Sequence, residues 1–143
     1  MDSRFLFGRP WMNGLDQAEK DHFGRQLITE GLATYITAEV LGISDIEALW
    51  ANYLSPEKSA QWLAECSDRV EELREYCRKQ FEESDHSCEM FMANDPDDIL
   101  RFRAGYYLGL ELVREVAAQE NLDLSALLKM ERTEFERLVL RRL

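Results

Sequence analysis

Two short stretches gather the residues whose types and spacing could do chemistry. Glu30-Gly31-Leu32-Ala33-Thr34-Tyr35 sets a carboxylate beside a glycine and a phenol, and Arg103-Ala104-Gly105-Tyr106-Tyr107-Leu108-Gly109 sets a guanidinium and two phenols around two glycines. A carboxylate can hold a cation or a proton, while phenols and guanidinium groups donate hydrogen bonds to a developing anion. A glycine inside a helix costs about 1 kcal/mol relative to alanine, so Gly31 beside Ala33 implies that something approaches this helix closely. Gly105 and Gly109, four residues apart, give a second helix a smooth ridge, and the two helices are expected to pack tightly together. The same spacing is also met by a bare helix crossing in which the tyrosines fill a gap and Glu30 is solvated.

Other chemistry-bearing residues are few. The sequence holds no Gly-rich phosphate loop, no G-x-S-x-G elbow, no paired C-x-x-C and no H-E-x-x-H. His22 and His86 are the two histidines. His86, with Cys66, Cys77 and Cys88, offers zinc-ligand chemistry, but Cys66 and Cys77 fall on an apolar helical stripe, where cysteine behaves as a small hydrophobe. His22 reads as a surface or capping side chain. Nucleophilic catalysis through Cys88 and His86 lacks an orienting third residue.

The elements that must position these groups read as helices. Asp16 with Glu19 makes a capping box for a helix over about 17–41, closed by Gly42, and Ser44 with Glu47 starts a short helix ending near Leu54. Ser55-Pro56-Glu57 supplies a cap, an N1 proline and an acidic first turn. The stripe Trp62, Cys66, Val70, Leu73, Cys77 and Phe81 then predicts one long amphipathic helix. Residues 84–95 read as a loop. Asn94-Asp95-Pro96-Asp97-Asp98 predicts the start of a further helix that buries Ile99, Phe102, Tyr106, Leu110, Val113 and Ala117. Asp123 or Ser125 caps a short helix carrying Leu127, Leu128 and Met130, and Thr133 with Glu136 boxes a last one burying Phe135, Leu138 and Val139. No alternating strand, repeat or interdomain linker interrupts the series. The expected fold is all-α, a compact array of five or six helices in a single domain over 1–143, with residues 1–15 an irregular segment packed on the helices by Phe5, Leu6, Phe7, Trp11 and Met12.

Composition agrees. Gly and Pro together number ten of 143 residues, and 45% of the chain is hydrophobic, enough for a core. The net charge of −11 repels phosphate backbones and disfavours nucleic acid. The one basic cluster, Arg132, Arg137, Arg141 and Arg142, sits where cations complement the negative end of a helix dipole. No apolar span of membrane length is present, and the Phe5-Leu6-Phe7 opening is too short for a signal peptide; a cytoplasmic protein with reduced thiols is expected.

Glu30-Gly31-Leu32-Ala33-x-Tyr35, with Arg103-Ala104-Gly105-Tyr106-Tyr107-Leu108-Gly109 some seventy residues later, resembles the C-terminal helical half of a predicted zinc-dependent protease family of the gluzincin type. The likeness runs from about Gly24 to the C-terminus. In that family an H-E-x-x-H helix supplies two histidine ligands and a general base, and the glutamate of a downstream E-G-L-A helix is the third ligand. The resemblance therefore makes Glu30 the metal-ligand position and puts Arg103, Tyr106 and Tyr107 at the active-site wall, where they could stabilise an oxyanion. It departs where the H-E-x-x-H helix should lie: that place holds Phe5-Leu6-Phe7-Gly8-Arg9-Pro10-Trp11, whose proline and glycine oppose a helix. Zinc is thus implied by resemblance but not expected to be held by this chain alone, because a catalytic site needs three protein ligands. Two functions are expected: a remnant or C-terminal portion of a zinc-dependent metallopeptidase, inactive by itself, whose partner is the missing catalytic segment; or a non-catalytic acidic helical module that binds another protein.

Overall fold

The computed structural model describes residues 22–51, 53–83 and 89–143. The irregular segment expected at 1–15, the Asp16–Glu19 box, and His86 with Cys88 lie outside them. The described residues form seven α-helices and two short 3-10 turns; they contain no β-strand, only an isolated antiparallel bridge between Ala93 and Phe102. The architecture is the expected all-α array, divided more finely than the sequence predicts. None of the described helices is long and apolar enough to cross a membrane.

Helix α1 (Phe23–Leu41) starts later than the expected residue 17, because His22 is extended and its Nδ1 accepts the Arg25 N–H at 3.3 Å. It stops at Gly42, whose φ of +63° is the left-handed conformation that glycine adopts without strain. Helix α2 (Asp45–Trp50) is capped by the Ser44 hydroxyl, which accepts from the Glu47 N–H at 3.2 Å. The long helix expected after Ser55 is two, α3 (Pro56–Asp68) and α4 (Val70–Gln80), broken at Arg69 with φ −108° and ψ 21°. The break lets both halves keep their stripes inward on a curved core. Trp62 and Cys66 are buried from the first half and Leu73 and Cys77 from the second, while Val70 at the bend is only partly covered. Arg69 itself binds Glu65 and Glu72 on the outer surface.

The helix expected from Asn94 onward begins only at Ala104, as α5 (Ala104–Gln119). Its supposed start signals are spent on turns. Asp95 Oδ1 accepts the Asp97 N–H at 3.0 Å, Asp98 Oδ1 accepts the Leu100 N–H at 3.1 Å over the 3-10 turn Ile99–Arg101, and the Arg101 carbonyl takes the Asn94 N–H at 3.0 Å. The Phe102 carbonyl is claimed by Trp62 Nε1 at 2.7 Å, and Arg103 has φ +60°, which ends any helix entering from that side. Asp123 caps α6 (Leu124–Lys129), whereas α7 (Arg132–Leu140) starts at Glu131 without a side-chain cap. The expected Thr133–Glu136 box is absent because Glu136 reaches across to Arg25 Nε at 2.7 Å, tying α7 to α1.

The most extensive helix contact is between α1 and α5. A Cβ on Gly31 would lie 2.3 Å from the Gly109 carbonyl oxygen, and one on Gly109 would lie 2.7 Å from the Leu27 carbonyl oxygen. The two backbones touch, as the glycine spacing predicts. Leu27, Leu32, Leu108 and Leu112 close the core around this point. Gly31→Ala should destabilise the domain by about 3 kcal/mol, the upper part of the overpacking range, because backbone rather than a flexible side chain obstructs the methyl. Gly42→Ala meets empty space and should cost only the left-handed strain of about 1 kcal/mol. Chemical denaturation of both variants checks the order; equal losses would contradict the close crossing.

Candidate functional site

The crossing fixes what surrounds Glu30. Gly31 lies on the contact, so Glu30 sits on its flank, and Tyr106, three residues before Gly109, rises on the same face of α5. The Tyr106 hydroxyl donates a hydrogen bond to the half-buried Glu30 carboxylate. Arg103, at the N-terminal end of α5, places its guanidinium carbon 4.3 Å from the Tyr106 ring centre and 4.6 Å from that of Trp50. Its backbone is held by donating an N–H to the Met92 carbonyl at 2.9 Å. The Thr34 hydroxyl donates to the Glu30 carbonyl at 2.8 Å, and Phe91 packs edge-on against Tyr106 at 5.8 Å.

Burial dominates the electrostatics of this group. It pushes the Glu30 carboxyl above its usual range, against the opposing pull of the Tyr106 hydrogen bond and the Arg103 charge. It pushes the Tyr106 phenol up as well, helped by the nearby Glu30 charge, and the Arg103 guanidinium down. A carboxyl that resists ionisation, a phenol that keeps its proton in a hydrogen bond to that carboxyl, and a desolvated cation lying over the phenol ring thus converge.

The structure brings Glu30, Arg103 and Tyr106 together and leaves Tyr107 outside. One position further round α5, Tyr107 meets the Trp62 ring edge-on at 6.3 Å and shares a hydrogen bond with the Ser67 hydroxyl. Tyr35 belongs with Glu39 and Arg114. Trp50, on α2, is the residue that sequence reasoning missed: it forms the floor beneath Arg103. No local pattern announces that role, because it comes from the placement of α2 against α5.

Cys66 and Cys77 are fully buried free thiols, and burial pushes Cys66 up to about 12 and Cys77 in the same direction. They are core hydrophobes, not thiolates. His22 stands eight residues before Glu30 on α1, about 12 Å along a helix axis, with its ring at Glu82. Among the described residues no three His, Cys, Asp or Glu side chains converge as a metal site. Glu30 by itself is a single carboxylate donor and does not complete a zinc site among the described residues, since zinc takes three protein donors in catalytic sites. Among the described residues, one cleft of about 340 Å³ is walled by Trp62, Phe102 and Asp97, and another of about 700 Å³ lies beside Ile43 and Ala51.

Because its carboxyl titrates higher in the folded chain than in the unfolded one, Glu30 contributes stability that is lost as pH rises through the folded value. Glu30→Gln mimics the protonated form. The variant should therefore gain on the wild type in thermal unfolding as pH rises above the ordinary glutamate value of 4.5. A difference that does not change with pH would remove the case for desolvation.

The family model described as Predicted Zn-dependent protease (DUF2268) matches residues 11–137. Neither curated proteins nor solved structures gave a match.

Proposed function

The chain belongs to the family of predicted zinc-dependent proteases, and from that premise we propose that it carries the C-terminal helical portion of a gluzincin-type peptidase site. In this reading Glu30 occupies the metal-ligand position, and Tyr106 and Arg103 supply hydrogen-bond donors to the oxyanion wall. The observation that carries it is the convergence of a half-buried carboxylate with a phenol and a guanidinium beside the Gly31–Gly109 contact. The chain itself encodes no H-E-x-x-H, so two histidine donors and the general base must come from another segment, and the isolated chain does not hydrolyse peptides.

The test supplies what the chain lacks. Fusing the H-E-x-x-H helix of a longer family member ahead of residue 22 should give one zinc per chain by elemental analysis, whereas the unfused chain should carry no stoichiometric zinc and cleave no peptide substrate. Outer-shell substitutions in zinc sites cost about 10–100-fold in affinity, so loss of a ligand in Glu30→Gln should weaken zinc by at least about tenfold. Zinc bound equally well by fused wild type and fused variant would contradict the assignment of Glu30.

A second reading, a non-catalytic acidic module that binds another protein, draws on the exposed Val40, Leu41 and Tyr53 near the end of α1 and after α2. It expects zinc binding by the fusion to be indifferent to Glu30.

A further inference from the structure

Several half-buried arginines among the described residues are matched to acids. Arg25 is bonded to Glu136 at 2.7 Å, Arg74 to Glu115 at 2.5 Å, and Arg114 grips Asp45 through both Nη atoms at 2.8 and 2.9 Å. Arg103 differs. Its guanidinium lies over the rings of Trp50 and Tyr106, yet among the described residues it has no salt bridge within 4.0 Å and donates no side-chain hydrogen bond. Among the described residues the fully buried side-chain nitrogens without a partner are Trp50 Nε1 and Arg142 Nε, and the Arg103 nitrogens are not among them. A guanidinium fixed by its faces presents its N–H bonds in its own plane, where they match the two oxygens of a carboxylate.

We infer that Arg103 is a binding fork for a carboxylate, and that its ligand is a peptide presenting a free α-carboxylate beside Glu30. The peptide part rests on the peptidase reading above; the carboxylate part does not. A phosphate dianion fits less well, because one guanidinium next to the Glu30 carboxylate, on a chain of net charge −11, offers little to a second negative charge. The desolvation of Arg103 is only partly offset by the nearby Glu30 charge, the kind of cost that binding sites retain, since an incoming anion recovers more of it.

Calorimetric titration of the full chain with acetyl-trialanine as free acid, the same peptide as C-terminal amide, acetate and inorganic phosphate tests this. The acid should bind at least about tenfold tighter than the amide, as expected for a charge-assisted bidentate contact, and tighter than acetate; acetate binding as tightly as the acid would overturn the peptide part. Arg103→Gln should abolish the preference. Arg103→Lys, which keeps the charge but not the fork, should reduce it, and circular dichroism establishes that each variant is folded. Equal binding of acid and amide, a preference that survives in both variants, or phosphate binding tighter than the acid would overturn the inference. A preference for the acid with no Glu30-dependent zinc in the fused protein would leave the carboxylate fork standing and remove the peptidase reading. Zinc that depends on Glu30 without acid preference would do the reverse.

Discussion

Direct backbone contact between two helices, at Gly31 and Gly109, is the constraint on which the remaining geometry depends. Nothing larger than hydrogen fits at either position, since a methyl at each would meet carbonyl oxygen at 2.3 and 2.7 Å. Helix axes ordinarily keep 8–10 Å apart because side chains separate them; glycine at the crossing removes that spacer. The helical penalty of glycine is offset by dispersion contacts along the seam, where Leu27, Leu32, Leu108 and Leu112 are almost completely enclosed. The consequence is positional. Glu30 rides on the flank of the seam, Tyr106 stands three residues from Gly109 on the facing helix, and a side chain of glutamate length is carried to a phenol it would not otherwise reach.

The group so formed is electrostatically open, which sets it apart from the other charged contacts. Arg114 and Asp45 hold each other down as a bidentate pair, with the carboxyl of Asp45 kept low and the guanidinium of Arg114 kept high. At Glu30 and Arg103 the directions are opposite: burial disfavours charge on both, and their mutual attraction only partly offsets it. A closed ion pair serves architecture. Groups held partly desolvated, with donor capacity left over, are suited to an outside ligand.

The glycines were the most readable part of the sequence, because the helical cost of Gly31 implies a compensating contact and the Gly105–Gly109 spacing names a partner surface. Helix caps at Ser44, Ser55 and Asp123 were readable for the same local reason: a short polar side chain reaches an N–H two or three residues on. Signals failed where tertiary structure decides between local options. Asp95 and Asp98 can cap a helix or make a turn, and the Trp62 hydrogen bond to the Phe102 carbonyl favours the turn. Glu136 can close a capping box or pair with Arg25, and it pairs. The break at Arg69 has neither proline nor glycine to announce it. For the site, Glu30, Arg103 and Tyr106 could be named from the two motifs, but not which of two adjacent tyrosines faces the carboxylate, nor that Trp50 lies beneath the guanidinium. Both depend on the rotation of α5 about its own axis and on where α2 docks.

The central claim is that this helix contact seats the Glu30 carboxyl in a partly desolvated place under the Tyr106 hydroxyl. Carbon-13 NMR titration of the Glu30 side-chain carboxyl, in wild type and in Tyr106→Phe, tests it most directly. The account predicts a midpoint above the ordinary glutamate value of 4.5, rising further when the phenolic donor is removed. An ordinary midpoint that ignores Tyr106→Phe would contradict it.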